Sequence, residues 1–213
     1  MGGIPTKEEI RSALIGRIGA DMQNKFQNAA VAVCGLGGLG SNIAVSLARA
    51  GVGKLLLIDF DYVDITNLNR QQYKASQIGR LKTDALAENL KEIAPCLVLE
   101  SFAVRLSNEN YTGILKEADI ICEAFDNAEE KSKFVNYVLE NMPDKYLVAA
   151  SGMAGLDTPN KIVTRKITKK FYLCGDGENS TDSGESLFAP RVMLCAAHQA
   201  TTVLRIIAEK YEI

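Results

Sequence analysis

Short apolar runs alternate along this chain with stretches of helical period. Residues 30–34, 54–59, 97–102, 119–124 and 146–150 have strand length, and 30–34 and 54–59 read as buried strands. Between them, residues 39–50, 82–93, 109–117 and 128–141 carry apolar positions on one face and read as helices. Strand–helix alternation of this kind predicts an α/β, Rossmann-like fold: a mostly parallel sheet with helices on both faces. Upstream, Thr6 and Glu9 have capping-box spacing, and a helical pattern runs to about residue 28, weakened at Gly16 and Gly19. Downstream, residues 161–167 and 171–174 read as strands with no crossover helix between them, which predicts a small antiparallel C-terminal extension. Residues 175–187 read as a mobile surface loop, and 190–210 as a closing helix with Pro190 in its first turn. The expected organisation is one domain over residues 1–213: a helical arm at 6–28, a nucleotide-binding core at 29–151, and the C-terminal strands, loop and helix at 152–213.

The 213 residues suffice for one such domain with a full core. A formal net charge of −2 provides no basic excess to neutralise phosphates, which argues against a general nucleic-acid binder. No apolar run reaches the roughly 18 residues that span a bilayer. The first residues lack the basic-then-apolar pattern of a signal peptide, so a cytoplasmic location is expected. The five cysteines, Cys34, Cys96, Cys122, Cys174 and Cys195, include no C-x-x-C pair, which fits a reducing compartment and leaves no paired-cysteine zinc site. His198 is the only histidine, so a two-histidine metal site has no material.

The chemistry gathers around Gly35-Leu36-Gly37-Gly38-Leu39-Gly40, where a strand gives way to a helix. Gly35, Gly37 and Gly40 match G-x-G-x-x-G, a turn that sets a helix N-terminus against a phosphate. Asp59 ends the next strand, where a carboxylate binds ribose hydroxyls. These four residues serve a dinucleotide in hydride transfer and ATP in AMP transfer equally well, and tight glycines also permit plain packing.

The polar stretch 60–79 narrows the choice. It holds Thr66, Asn67, Arg70 and Gln71, and Lys82 opens the helix that follows. Hydride transfer needs no cationic pair beside the phosphates. Adenylyl transfer does, because charge builds on the α-phosphate and on departing pyrophosphate. Taken singly, Arg70 is a surface arginine and Lys82 a solvated helix lysine. Asp126, at a strand end, suits a Mg²⁺ ligand, and Asp126 and Asn127 equally suit a helix cap.

In this order, GLGGLG at 35–40, DFDYV at 59–63, NLNRQ at 67–71, Lys82 and EAFDN at 123–127 resemble the ThiF/MoeB/ubiquitin-activating-enzyme superfamily. AASGMAG at 149–155, FYLCGDG at 171–177, APR at 189–191 and HQA at 198–200 extend the resemblance toward its short thiamine-pathway members. The resemblance implies adenylation, with ATP and Mg²⁺, of the C-terminal glycine of a ubiquitin-like sulfur carrier ending in Gly-Gly. Pyrophosphate leaves, and a sulfur donor protein takes up the product. It implies that Gly38 lies against the phosphates and Asp59 holds the ribose. Thr66, Asn67 and Arg70 contact the triphosphate, with Gln71 close by and Lys82 on phosphate. Asp126 holds Mg²⁺ and Asn127 borders the nucleotide. It also implies a homodimer in which an N-terminal arginine, here Arg17 with Arg11 as second candidate, reaches the partner's phosphates. Two departures stand out. The paired cysteines of longer members are missing, so no structural zinc is expected, and Cys174 is the candidate for a covalent carrier intermediate. The strands near 161–174 and the loop after them are candidates for the groove of the carrier tail. Near alternatives are a molybdopterin-pathway carrier or a tRNA-modifying cyclase. More distant ones are an NAD-dependent oxidoreductase and a non-catalytic scaffold.

Overall fold

The computed structural model describes residues 3, 5–179 and 184–212. Helices α1 (Lys7–Ile18) and α2 (Ala20–Asn28) lead into β1 (Ala30–Cys34), α3 (Gly38–Ala50), β2 (Lys54–Ile58), α4 (Lys82–Ile93) and β3 (Val98–Phe102). The chain continues with α5 (Tyr111–Leu115), β4 (Ile120–Glu123), α6 (Ala128–Asn141), β5 (Tyr146–Ala150), β6 (Val163–Lys166), β7 (Phe171–Gly175) and α7 (Ala189–Ile207).

The described residues form a seven-stranded sheet of order β3-β2-β1-β4-β5-β7-β6. Every pairing is parallel except β6 with β7, as the missing crossover helix predicted. Alternate side chains of the central strands enter two cores. Val31, Val33, Leu55, Leu57, Cys122 and Val148 meet α3, α4 and α7 on one face. Ala32, Cys34, Leu56, Ile58, Ile121 and Leu147 meet α5 and α6 on the other, around Phe134. Strands covered on both faces need no polar side, which is why they read as continuous apolar runs. Each fully buried Leu or Ile stabilises the sheet by about 1.5–3 kcal/mol.

From β1 the chain crosses to β2 on one side, whereas β4 lies on the other. The carboxyl ends of β1 and β4 therefore flank a crevice, the position where open α/β sheets bind ligands.

Several boundaries differ from the sequence pattern. The N-terminal arm is two helices, because Gly19 at φ +84° turns the chain and ends α1. No residue of α1 is buried, whereas α2 buries Gln23 and Phe26. The helix expected at 109–117 shrinks to α5, and β6 starts after a 3₁₀ turn at Pro159–Lys161. The stretch 60–79 contains two further 3₁₀ turns, Ile65–Asn67 and Ala75–Gln77, and buries Val63, Tyr73 and Gln77. The segment expected to be a mobile loop begins with Asp176 buried; its residues 180–183 lie outside the described residues. Among the described residues no helix is long and apolar enough to cross a membrane.

Candidate active site

The glycine turn is built by close approach. Gly35 adopts φ +90°, and a Cβ there would sit 2.8 Å from the carbonyl oxygen of Ala124 on the neighbouring strand. A Cβ on Gly40 would collide with the carbonyl of Gly35, so Gly40 lets α3 pack down onto the turn. A Cβ on Gly38 would stand 2.9 Å from Cγ1 of Val192 in α7 and 3.5 Å from Cγ of Arg70. The N-terminus of α3 has no side-chain cap and lines the cavity at Gly37, Gly38 and Leu39, which leaves its first N–H groups available to an anion.

Asp59 braces this turn. Its Oδ2 accepts the N–H of Leu36 at 2.6 Å, and its Oδ1 accepts the N–H of Asp61 at 2.8 Å. Tyr73 donates its hydroxyl to the carbonyl of Leu36 at 2.8 Å, and burial, with Asp59 and Asp61 nearby, pushes that phenol well above its ordinary value. The hydroxyl therefore stays a donor. Lys82, at the start of α4 and only 6% exposed, places Nζ 2.9 Å from Oδ2 of Asp61.

The polar stretch folds back over α3. Asn42 donates to the carbonyls of Gly38 at 2.6 Å and Arg70 at 3.2 Å, and Gln72 donates to Asn42 Oδ1 at 2.7 Å. Arg70 donates through Nη1 to the carbonyl of Thr66 at 3.1 Å and to Asn69 Oδ1 at 2.7 Å. Its Nε, and the Oε1 of Gln71, are buried without a partner among the described residues. Native interiors leave few such atoms unmet, so a polar ligand completing them is the physical expectation.

On the far wall, Glu123 closes β4 fully buried. Its Oε1 accepts the N–H of Phe125 at 2.7 Å, and both its oxygens lie 2.7 Å from Nζ of Lys131. Gln199 of α7 donates to the backbone carbonyls of Glu123 and Val148 at 2.9 and 3.2 Å. Asn127 caps α6 by accepting the N–H of Glu130 at 2.9 Å. That leaves the exposed carboxylate of Asp126 without a hydrogen-bond or ion-pair partner among the described residues. Of the two residues suited to the cap, Asn127 is the one used.

These parts surround one cavity of about 540 Å³. Gly35, Gly37, Gly38 and Asp59 line it on the turn side, and Asn67, Arg70, Gln71 and Lys82 along the polar stretch. Asp126 and Asn127 line the opposite wall. Four predicted residues, Gly40, Thr66, Arg17 and Cys174, are not in its lining. Gly40 acts by packing. Thr66 is exposed and gives its hydroxyl to Asp64 Oδ1 at 2.7 Å, so its share in the site is the carbonyl that fixes Arg70. Arg17 is exposed on α1.

The structure places Cys174 outside the cavity lining. It is 0% exposed in the core, with Sγ 3.6 Å from Thr164 Oγ1, and burial pushes its thiol up. A nucleophilic thiolate needs the opposite environment. Cys34, Cys122 and Cys195 are buried likewise. His198 is half-buried, with Nδ1 3.0 Å from Thr164 Oγ1, and burial lowers its pKa.

Several lining residues carry no sequence signal of their own. Arg105 lies over the ring of Phe60 at 4.6 Å and meets Glu130 at 3.3 Å across the rim. Near the opposite rim, buried Arg191 bonds the carbonyls of Ala154 and Thr158 at 3.1 Å and the carboxylate of Asp176. Asp176 in turn accepts the N–H groups of Glu178 and Asn179 at 2.9 Å. Arg191 and Asp176 fall in segments quoted for the resemblance, but their pairing is a product of the fold.

No group of three or more His, Cys, Asp or Glu side chains suited to a metal occurs among the described residues. The described residues therefore form no protein-made cage. Asp126 alone fits a Mg²⁺ ion that takes its other ligands from phosphates and water, the usual mode for that ion at nucleotide sites.

Fold and site together define a Rossmann-like α/β domain whose cavity joins a helix N-terminus to lysine, arginine and a carboxylate without a partner among the described residues. The chain belongs to the ThiF family, whose model matches residues 10–213. It is 33% identical over 164 residues to the tRNA threonylcarbamoyladenosine dehydratase of Haemophilus influenzae, covering 76% of this chain and 62% of that protein. It is 34% identical over 127 residues to the sulfur carrier protein adenylyltransferase of Thermus thermophilus, covering 57% of this chain and 47% of that one. The chain thus spans less than two thirds of either relative's length. In fold it matches the E. coli tRNA N6-threonylcarbamoyladenosine dehydratase, solved with ATP, at a TM-score of 0.85 and 20% identity over 98% of both chains.

Proposed function

We propose that this protein transfers AMP from ATP to a carboxylate and releases pyrophosphate, and that the carboxylate is the C-terminal glycine of a ubiquitin-like sulfur carrier. The observation that carries the reading is the convergence of Arg70, Lys82 and Asp126 on the cavity headed by the glycine turn. Hydride transfer has no use for that set, and neither has a scaffold. Membership of the ThiF family supports the same choice.

In this reading Asp59 accepts ribose hydroxyls through its remaining lone pairs, and the N–H groups at the start of α3 meet the phosphates. Gly38 carries no side chain, which lets them approach. The glycine carboxylate, already ionised at neutral pH, attacks the α-phosphorus in line. A new P–O bond forms to the carboxylate, the bond from the α-phosphorus to the bridging oxygen breaks, and its electron pair leaves with pyrophosphate. Arg70 and Lys82 face the charge that develops. A Mg²⁺ ion at Asp126 would supply further neutralisation of the triphosphate. No general base is required, so catalysis rests on positioning and electrostatics. The protein is proposed to work as a cytoplasmic homodimer forming one domain per chain, with Arg17 serving the partner's site. A thiamine-pathway carrier and its sulfur donor remain the proposed partners.

A second reading is favoured by the relative that covers 76% of this chain, a tRNA-modifying dehydratase. There the same activation would act on a carboxylate borne by a nucleotide, and loss of AMP would accompany ring closure.

Isotope exchange between pyrophosphate and ATP tests both. Exchange dependent on a Gly-Gly-ending carrier supports the first reading. Exchange dependent on modified tRNA supports the second. No exchange with either, alongside tight NAD binding, overturns both.

A further inference from the structure

We infer that Glu123 is a positioning residue for metal binding: it sequesters Lys131 and so keeps the carboxylate of Asp126 available to a divalent cation. The inference rests on the adenylation reading of the site.

A carboxylate that is 0% exposed is costly to bury and persists only when paired. Glu123 is paired twice. Both oxygens hold the Lys131 ammonium at 2.7 Å, and Oε1 also holds the N–H of Phe125 at 2.7 Å. The second bond fixes the backbone one residue before Asp126. The first matters because Lys131 itself lines the cavity that Asp126 lines. Asp126 lines the same cavity without an ion-pair partner among the described residues, and on this inference an ammonium released from Glu123 would pair with it. The carbonyl of Glu123 is anchored separately, by Gln199 of α7 at 2.9 Å, so the backbone stays in place when the side chain is changed. One buried carboxylate thus does two things for the residue three positions on: it sets its backbone, and it withholds the cation that would neutralise it.

The test measures binding, not turnover. Glu123→Gln keeps an acceptor for the Phe125 N–H but gives up the charge that holds Lys131. The affinity of Mn²⁺ for the protein–ATP complex, read by electron paramagnetic resonance, is expected to fall by about tenfold or more, the usual cost of losing an outer partner of a metal ligand. ATP affinity without metal is expected to hold or rise, since a freed ammonium attracts triphosphate. Adding Lys131→Met to Glu123→Gln is expected to restore Mn²⁺ affinity, because the competing cation is gone. Equal loss of metal-free and metal-loaded ATP binding overturns the inference, as does a double variant that fails to recover. Should Glu123→Gln not fold, the double variant, a neutral replacement of a buried pair, carries the test: wild-type Mn²⁺ affinity supports the inference and weakened affinity overturns it. Failure of the adenylation reading shows itself differently, as absence of ATP binding in the unmodified protein.

Discussion

The backbone N–H of Leu36 donates to Oδ2 of Asp59 at 2.6 Å, so one carboxylate holds the glycine turn to the end of β2. Asp59→Ala orphans the buried N–H of Leu36 and the N–H of Asp61, and an unmet buried donor costs about 1–3 kcal/mol. In a chain of this size Tm is expected to fall by about 2–4 °C per kcal/mol, together with ATP affinity. Arg70→Ala should separate the two effects. Its bonds go to the carbonyl of Thr66 and the side chain of Asn69, both exposed residues, so Tm should hardly move while exchange drops by about 10²–10³-fold. Calorimetry and exchange on both variants decide; full exchange in Arg70→Ala removes it from the machinery.

Gly38 and Gly40 of the turn should fail in different ways. A methyl at Gly38 meets Val192 Cγ1 at 2.9 Å and intrudes on the phosphate side of the cavity. Gly38→Ala is expected to fold and to bind ATP weakly. A methyl at Gly40 meets the rigid Gly35 carbonyl, and overpacking of that kind costs about 1–3 kcal/mol or more. Gly40→Ala is therefore expected to lower the urea midpoint well below that of Gly38→Ala. The reverse order would refute the division of labour.

The Asp176–Arg191 strut predicts an acid limb. Burial works against the charged carboxyl, but the N–H groups of Asn179 and Glu178, the Asn179 side chain and Arg191 outweigh it and hold Asp176 at about 2. A carboxyl lowered on folding adds stability that is complete above its unfolded value, about 3.9, and is lost as pH falls toward its folded value. Asp176→Asn should be less stable at neutral pH and should show a shallower loss between about pH 4 and pH 2 in urea midpoints. An unchanged acid slope would remove the strut from the account.

Thiol labelling provides a direct test of the cysteines. Among the described residues Cys96 is the cysteine that is not buried, so a bulky aromatic disulfide should modify it first in the native protein. Cys174→Ala should keep exchange activity and lose about 1 kcal/mol of stability, the common size of a point change. Loss of exchange with retained stability would reinstate the thiol as a reactant.

If the proposed dimer places Arg17 in the partner's site, two dead variants should rescue each other. Mixing Arg17→Ala with Arg70→Ala protomers should recover about a quarter of wild-type exchange, since one site in each mixed dimer is then complete and half the dimers are mixed. No recovery, in a sample shown to exchange subunits, argues against a role in trans.

Strand order aside, the architecture was legible because apolar runs and helical periods follow directly from burial on two faces or one. The glycine turn and Asp59 were legible because they are local. What escaped depended on long-range contact. Nothing in the sequence pairs Glu123 with Lys131 or Asp176 with Arg191; the sheet and α7 do. Cys174 became a candidate through the resemblance and the glycine-rich loop that follows it, yet its strand is covered by α7. Asp126 and Asn127 were indistinguishable as caps until the geometry of α6 assigned that role to Asn127.

The packing of α7 has a consequence for how the protein matures. Val192 walls the phosphate side at Gly38, and Gln199 satisfies the ends of β4 and β5. A growing polypeptide that has delivered everything up to β7 would possess every residue assigned to ATP and still lack a closed site. On the proposed ATP-binding role, closure of the site requires α7, and removal of α7 is expected to abolish ATP-dependent protection from proteolysis.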